Sequence, residues 1–176
     1  MKGNIYIIGF MGTGKTTVSR LLAEQTGFEL VDTDQEIAGQ QKKSINEIFE
    51  SQGEGYFRNL ETELLRELGT VRGKIVSCGG GMVLREENVR LMKESGVVVL
   101  LTACSRTIFS RVCQGTDRPV LNKNMSVEYV EELLEKRRPY YERAGEVIIT
   151  TDDRTPEEIS GEINKILKNG KISFDF

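Results

Sequence analysis

The sequence predicts a three-layer α/β/α fold built on a five-stranded parallel sheet. Short apolar runs have the length of buried strands, and segments with helical periodicity separate them. The strand pattern covers residues 5–8, 29–31, 75–77, 97–101 and 147–149. Because strands that alternate with helices usually form a parallel sheet covered on both faces, this order favours the three-layer arrangement.

Apolar residues that recur at three- and four-residue steps predict the helices that connect the strands. The helical pattern covers residues 15–25, 55–68, 86–94, 105–113, 127–144 and 155–168. The last of these opens with Thr155-Pro156-Glu157-Glu158, a capping box with proline at the first helical position. The six patterns supply enough helices to cover both faces of the predicted sheet.

Two stretches interrupt the alternation of strands and helices. Residues 34–53 predict one or two short helices inserted after the second strand, and the polar, aperiodic residues 114–125 predict a mobile loop. Connections of this length are uncommon in compact domains unless they carry function. We therefore expect both stretches to contribute to a binding site.

Composition limits the classes of protein that fit. The 176 residues suit one domain, and a net charge of -3 disfavours a broad nucleic-acid or membrane surface. Three scattered cysteines and no histidine predict reduced thiols, a cytoplasmic location and no structural zinc site. The first apolar run is too short for a signal peptide. The sequence shows no large exposed apolar stripe, so we expect a monomer.

The strongest functional signal follows the first predicted strand directly and leads into the first helix. It reads Gly9-Phe10-Met11-Gly12-Thr13-Gly14-Lys15-Thr16, which matches the phosphate-binding pattern G-x-x-x-x-G-K-[ST]. Glycines let the backbone wrap phosphate oxygens with its N–H groups, the lysine reaches the outer phosphates, and the hydroxyl of Thr16 can ligate Mg²⁺. The sequence therefore predicts a nucleotide-binding P-loop.

A P-loop is shared by motors, GTPases and kinases, so it does not name a reaction. The chain contains no N-K-x-D motif for guanine recognition, and its small size disfavours motors and transporters. A small-molecule kinase remains, and such an enzyme needs a site for the acceptor.

Two carboxylates follow the second predicted strand, where ligands of parallel sheets bind. One of Asp32 and Asp34 can serve Mg²⁺ while the other orients or accepts the proton of an acceptor hydroxyl. The alternative is structural, since Asp34 precedes a helical pattern and could cap it.

Two further motifs have both a functional and a structural interpretation. Arg58 lies beside a buried stripe with Glu61 one turn later; the pair is either a surface ion pair or a device that aims the guanidinium at a substrate carboxylate. The run Gly79-Gly80-Gly81 either admits a ligand close to the backbone or only forms a flexible turn.

Taken together, the order of these motifs resembles that of shikimate kinase over nearly the whole chain. The matching segments are residues 9–16, Asp32-x-Asp34, Phe57-Arg58-x-x-Glu61, the glycine run 79–81, residues 117–121, and Arg137 ahead of Tyr141. The resemblance implies a P-loop fold of the nucleoside-monophosphate-kinase type and ATP-dependent phosphorylation of the 3-hydroxyl of shikimate. It also implies that residues 34–60 form a shikimate-binding helical insertion and that residues 112–125 form a lid.

The resemblance also implies roles for individual residues. Lys15, Asp34 and Arg118 would be catalytic, with Asp34 the base. ATP would contact Gly12, Thr13, Gly14, Lys15, Thr16, Thr17, Arg111, Arg118 and Arg154. Shikimate would contact Asp34, Arg58, Gly79, Gly80, Gly81 and Arg137, and Mg²⁺ would bind Thr16 and Asp32. Cys78 departs from the family, which often has threonine before the glycine run.

Helical geometry supports one of these assignments independently. In the helix from residue 127 the apolar stripe runs through Val130, Leu134 and Tyr141, and Arg137 falls within it. An inward charge needs an anionic partner, which is either a substrate carboxylate or an internal Asp or Glu. Arg138 points toward the Glu131 side and is expected to be solvated.

Two rival functions remain compatible with the motifs. A gluconate-type kinase also binds a carboxylate and hydroxyls, and a catalytically inactive nucleotide-binding module would keep the fold. The intact set of Lys15, Asp34, Arg58, Arg118 and Arg137 disfavours the inactive module.

Overall fold

The computed structural model describes residues 3–114 and 126–169. Its five strands form one sheet in the order β2-β3-β1-β4-β5, and every neighbouring pair is parallel. The strands are β1 Asn4–Gly9, β2 Glu29–Asp32, β3 Lys74–Ser77, β4 Gly96–Thr102 and β5 Val147–Thr150. The predicted α/β fold with a five-stranded parallel sheet is thus confirmed.

Six helices and one 3₁₀ turn connect these strands, and a seventh helix follows β5 in the described part of the chain. The helices are α1 Lys15–Thr26, α2 Thr33–Gln41, α3 Ile45–Gly69, α4 Glu86–Ser95, α5 Ser105–Gln114, α6 Val127–Ala144 and α7 Pro156–Lys168, and the 3₁₀ turn is Met82–Leu84. The capping box expected at Thr155 is present, with Thr155 and Glu158 bonded to each other's backbone N–H groups.

Side chains of β1 alternate between two apolar cores, as the two-residue period of a strand requires. Ile5 and Ile7 belong to the core against α1 and α7, whereas Tyr6 and Ile8 belong to the core against α3, α4 and α6. All four side chains are at most 1% exposed. A strand buried on both faces explains why β1 reads as a continuous apolar run.

The inserted segment after β2 forms two short helices before Gly53, as the sequence pattern predicts. Ser44 and Glu47 form a capping box that starts α3 at Ile45, and the helix continues to Gly69. Gly53 interrupts it with a non-helical φ of 81° and ψ of 169°. Because this backbone conformation lies far from the helical region, the residues before and after Gly53 form two helices that meet at a kink, and the predicted helix from residue 55 is confirmed.

The predicted lid, residues 112–125, falls mostly outside the described residues. Residues 112–114 belong to α5, whose last residue is Gln114. Residues 115–125, which include Arg118, and the tail 171–176 lie outside the described part of the chain.

Candidate active site

A cavity of about 620 Å³ opens at the edge of the sheet where the parallel strands end. The P-loop and α1 form one side, β2 and α2 form the floor, and α3, the glycine run and α6 form the other side. Most of the predicted site residues line it, namely Gly12, Gly14, Lys15, Thr16, Thr17, Asp32, Asp34, Arg58, Gly79, Gly80, Gly81, Arg111 and Arg137.

The P-loop has the geometry of an anion site. Gly12 and Gly14 adopt left-handed conformations, with φ of 77° and 89°, that side chains rarely tolerate. Gly14 begins α1 without a side-chain cap, and the first turn of α1 contains no acidic residue. The first N–H groups of α1 and the positive end of its dipole therefore face the cavity.

Thr13 and Lys15 both bond to the loop itself. The Thr13 hydroxyl donates to the carbonyl of Phe10 over 2.8 Å, and Thr13 is 1% exposed. Thr13 is absent from the cavity wall, so its side chain supports the loop from behind. Lys15 Nζ donates to the same Phe10 carbonyl over 2.9 Å and lines the cavity.

Asp32 and Asp34 have different local roles. Asp32 caps α2, because its carboxylate accepts from the N–H groups of Asp34 and Gln35 over 3.2 and 3.3 Å. The structural alternative, in which Asp34 was the cap, is therefore wrong. Asp34 stands in the first turn of α2, and a Cβ built on Gly79 would lie 2.5 Å from its Oδ1.

Thr16 and Asp32 are the two predicted metal ligands. Both line the cavity. Within residues 3–114 and 126–169, no cluster of three or more His, Cys, Asp or Glu side chains is arranged to hold a metal ion.

The Arg58–Glu61 pair is buried, which excludes the interpretation as an exposed surface pair. Arg58 Nη1 donates to Glu61 Oε2 over 2.8 Å; the Glu61 side chain is fully buried and that of Arg58 is 14% exposed. The more exposed Glu54 takes the other edge of the guanidinium, at 3.0 and 3.2 Å. Two carboxylates therefore hold Arg58 at the cavity wall in one orientation.

Burial dominates the ionisation of Glu61. It raises the pKa of Glu61 from 4.5 to about 7, Arg58 opposes the rise, and Asp34 adds to it. The second carboxylate oxygen, Oε1, is buried without a hydrogen-bond partner among the described residues. Glu61 thus has a raised pKa and, beside Gly79, a carboxylate oxygen that accepts no hydrogen bond from the described residues.

The glycine run brings the backbone against charged side chains. A Cβ on Gly81 would overlap the guanidinium of Arg58, and one on Gly79 would overlap Asp34. The carbonyl of Gly80 accepts from the Tyr141 hydroxyl over 2.7 Å. Glycine at positions 79 and 81 therefore lets the side chains of Asp34 and Arg58 lie against the backbone, which the interpretation as a flexible turn alone does not explain.

Arg137 and Arg138 occupy the two environments that the helical pattern predicts. Arg137 is half-buried, lines the cavity and lies 5.8 Å over the ring of Phe10. Its guanidinium forms no ion pair with a carboxylate of the described residues, so the internal Asp or Glu considered as a partner is not found there. Arg138 is exposed and pairs with Glu135 rather than turning toward Glu131.

Two arginines predicted to contact ATP differ in position. Arg111 lines the cavity and connects the P-loop to the residue after β5, because it donates to the carbonyls of Gly12 and Thr151 over 3.2 and 2.8 Å. Arg154 is absent from the cavity wall and pairs with Glu162 over 2.5 Å. Arg118 cannot be placed, since it lies outside the described residues.

The cavity also contains residues that the sequence pattern did not single out. Ile45 and Phe49 line it from the first part of α3, and the rings of Phe49 and Phe57 are 4.8 Å apart. Ser77 lies in register with Asp32 on the neighbouring strand. The helical pattern predicts Tyr141 only as part of an apolar stripe and gives no role to its hydroxyl. A buried tyrosine, however, usually needs a polar partner.

Cys78 is a buried part of the wall. Its thiol contacts Met92 and the carbonyl of Val76. Burial raises the pKa of the Cys78 thiol, so the group is neutral and unreactive.

Fold and cavity together define a P-loop kinase of the α/β class. The family model for shikimate kinase matches residues 11–168. The chain belongs to the shikimate kinase family.

Relatives and solved structures resemble the chain over nearly its full length. A shikimate kinase of Thermodesulfovibrio yellowstonii is 43% identical over 96% of this chain and 98% of its own, and that of Persephonella marina is 45% identical over 91% and 96%. The structure of a shikimate kinase from Acinetobacter baumannii in complex with shikimate has a TM-score of 0.88 at 33% identity, covering 97% of this chain and 96% of that one. The enzyme from Aquifex aeolicus gives 0.81 at 33% identity, covering 95% and 97%.

No helix within residues 3–114 and 126–169 is long and apolar enough to span a bilayer.

Proposed function

We propose that the protein transfers the γ-phosphoryl group of ATP to the 3-hydroxyl of shikimate, a step in aromatic amino-acid biosynthesis. One observation carries the proposal: a single cavity joins the P-loop to Arg58, Arg137 and Asp34. A phosphate donor and a carboxylated, hydroxylated acceptor can therefore bind side by side. The complex of the Acinetobacter baumannii enzyme with shikimate supports the acceptor.

The residues divide between the two substrates. Gly12, Gly14 and Lys15 hold the phosphates through N–H groups and one cation, as phosphoryl transfer requires. Thr16 and Thr17 lie beside them in the first turn of α1. Arg111, which bonds to the P-loop, and the predicted Arg118 and Arg154 complete the proposed contacts with ATP.

The acceptor lies against α2, α3 and α6 in this proposal. Arg58 and Arg137 bind the shikimate carboxylate, because guanidinium groups pair with carboxylates in a bidentate geometry. Asp34 accepts the proton of the attacking hydroxyl, and its place beside Gly79 keeps it at the backbone of the glycine run. Residues 34–60 supply Asp34 and Arg58 to this side of the site, and α6 supplies Arg137.

Mg²⁺ accompanies ATP in this proposal and neutralises charge on the phosphates. Thr16 and Asp32 are its protein ligands. This small donor set fits Mg²⁺, which is usually held by one or two protein groups together with phosphates and water.

An assay of ADP release with shikimate, with gluconate and without acceptor tests the function. We expect turnover with shikimate and Mg²⁺ only, and Lys15→Ala should abolish it because the charge on the transferring group is lost. Turnover with gluconate alone would indicate the gluconate-type kinase. ATP binding without any turnover would indicate the inactive module.

We also propose that the enzyme is a cytoplasmic monomer. The three cysteines are free thiols, two of them exposed, which fits a reducing compartment. Sedimentation analysis tests the monomer, since a dimer would double the mass of 19.8 kDa.

A further inference from the structure

Arg85 connects two walls of the cavity without lining it. It follows the 3₁₀ turn and precedes α4, so it ends the segment that begins with the glycine run. Its guanidinium crosses to α3, donating to Asn59 Oδ1 over 2.8 Å, to Thr62 Oγ1 over 3.4 Å and to the carbonyl of Gly55 over 3.3 Å.

The three acceptors lie along one face of α3, spaced four and three residues apart. Arg58 and Glu61 belong to the same two turns of the helix, on the side that meets the cavity. Just before these turns, Gly53 breaks the helical conformation. Contacts from outside the helix must therefore fix the position of the turns that carry Arg58 and Glu61.

Little displacement between these walls can be accommodated. Gly81 approaches the Arg58 guanidinium so closely that a methyl group would overlap it. A shift of α3 relative to the glycine run would either open this contact or create a clash, and in both cases Arg58 would leave its present position.

We propose that Arg85 is a positioning residue for the acceptor site, which locks α3 against the glycine run and so fixes Arg58 and Glu61. The proposal rests on the proposed function. The role of Arg85 goes beyond that function, because it assigns a part in shikimate binding to a residue that does not line the cavity.

The charge of Arg85 acts on the same pair. Among the described residues, the charged groups that face Glu61 are Arg58 on α3, Asp34 on α2 and Arg85 at the start of α4, and the thiol of Cys78, directly after β3, lies nearby. Arg85 opposes the rise in the pKa of Glu61 that burial causes. Loss of this charge should therefore favour the protonated form of Glu61 and weaken its hold on Arg58.

A second, buried contact keeps the fold together when Arg85 is replaced. Thr62 donates to Asn88 Oδ1 over 2.7 Å, and Asn88 donates to the carbonyl of Met82 over 3.0 Å. This chain of bonds links α3, α4 and the 3₁₀ turn from inside. Replacement of the half-buried Arg85 should thus change the alignment of the site and leave the protein folded.

Steady-state kinetics of Arg85→Ala test the proposal. We expect KM for shikimate to rise about tenfold, while kcat and KM for ATP change by less than about twofold, because charge-assisted hydrogen bonds to the acceptor wall alone are lost. Arg66→Ala is the matched control, since Arg66 also joins α3 to α4, through an exposed pair with Glu87 at 2.6 Å. An unchanged KM for shikimate, an equal rise in Arg66→Ala, or an equal rise in KM for ATP would overturn the proposal.

The pH profile separates positioning from general destabilisation. In the wild type, KM for shikimate should rise as the pH falls through about 7, where Glu61 protonates. Arg85→Ala should move this rise to higher pH, and Arg85→Lys should restore its position with about a threefold higher KM, since charge returns without the planar fork. A pH profile that does not move in Arg85→Ala contradicts the proposal.

If Arg85→Ala does not fold, Arg85→Lys decides alone, and a wild-type KM would overturn the proposal. Failure of the wild type to phosphorylate shikimate would instead refute the proposed function, so the two failures are distinguishable.

Discussion

Arg137 and Arg138 are neighbours in the chain, yet α6 places them in different surroundings. A helix turns about 100° per residue, so adjacent side chains point in different directions. Arg137 meets Phe10 and the cavity, whereas Arg138 pairs with Glu135 at the surface. Two identical side chains thus provide a natural comparison of a cavity-facing and a solvent-facing arginine.

Replacement of each arginine tests this difference. Arg137→Ala should weaken shikimate binding about 30-fold or more and leave ATP binding nearly unchanged, because loss of one partner of a desolvated charge pair costs about 2–5 kcal/mol. Arg138→Ala should have little effect, as expected for an exposed pair. Calorimetric titration with each substrate measures both, and equal losses in the two variants would refute the helical-face argument.

Glu61 makes stability depend on pH in an unusual direction for an acid. Because the pKa of Glu61 in the folded protein is about 7 and its ordinary value is 4.5, the folded state binds more protons than the unfolded state between these values. The contribution of Glu61 to the free energy of unfolding is therefore complete below pH 4.5, the ordinary pKa, and is lost as the pH rises through about 7, the pKa in the folded protein.

Glu61→Gln removes this titration. We expect the wild type to lose on the order of 3 kcal/mol more than the variant between pH 4.5 and 8, as determined by urea unfolding. Glu54→Gln is the control, because it removes the exposed carboxylate bound to the same arginine. If both variants follow the wild type across this range, burial of Glu61 does not affect its ionisation.

At the scale of elements, the turn after β3 has to combine an open backbone with rigid walls. Its three glycines bring main-chain atoms against Asp34 and Arg58, and the bond from Tyr141 to the Gly80 carbonyl holds the turn to α6. The absence of side chains here leaves the space that the charged groups occupy.

Gly81→Ala should therefore displace the Arg58 guanidinium while the fold persists, because the far end of a flexible side chain can move. KM for shikimate should rise about tenfold, the usual size of a lost charge-assisted contact.

In contrast, Gly39→Ala in the exposed part of α2 meets open space and should stabilise the protein by about 0.5–1 kcal/mol. Kinetics and thermal unfolding measure the two effects, and an unchanged KM in Gly81→Ala would contradict the described contact.

Elements set by nearby residues could be predicted from the sequence, and those set by distant partners could not. The P-loop is a strand, a turn and a helix in succession, so its motif was sufficient. The burial of Arg58 and Glu61 depends on how α3 packs against α4, for example through Thr62 and Asn88, which are 26 positions apart. The pattern therefore left open whether the pair was exposed.

The 3₁₀ turn Met82–Leu84 was missed for a local reason. Three residues are too few to show a period. The kink at Gly53, in contrast, lies where the sequence pattern separates two helices. Asp32 and Asp34 illustrate a further limit, since either could cap α2 and only the backbone direction after β2 decides between them.

At the scale of the whole molecule, the parallel sheet brings segments from all parts of the chain to one edge. The P-loop follows β1, the acidic pair follows β2 and the glycine run follows β3, because the carboxyl ends of parallel strands lie together. Helix α6 then adds Arg137 from a position far along the chain. This convergence is the basis for assigning one cavity to two substrates.

The position of the transferred phosphate on the product decides whether the protein phosphorylates the 3-hydroxyl of shikimate. Shikimate should be incubated with ATP, Mg²⁺ and the protein, and the product analysed by phosphorus–proton correlation NMR. We expect one new phosphate ester whose phosphorus couples to the proton on carbon 3 of shikimate. A phosphate on another hydroxyl, or ATP consumed without any phosphorylated shikimate, would contradict this expectation.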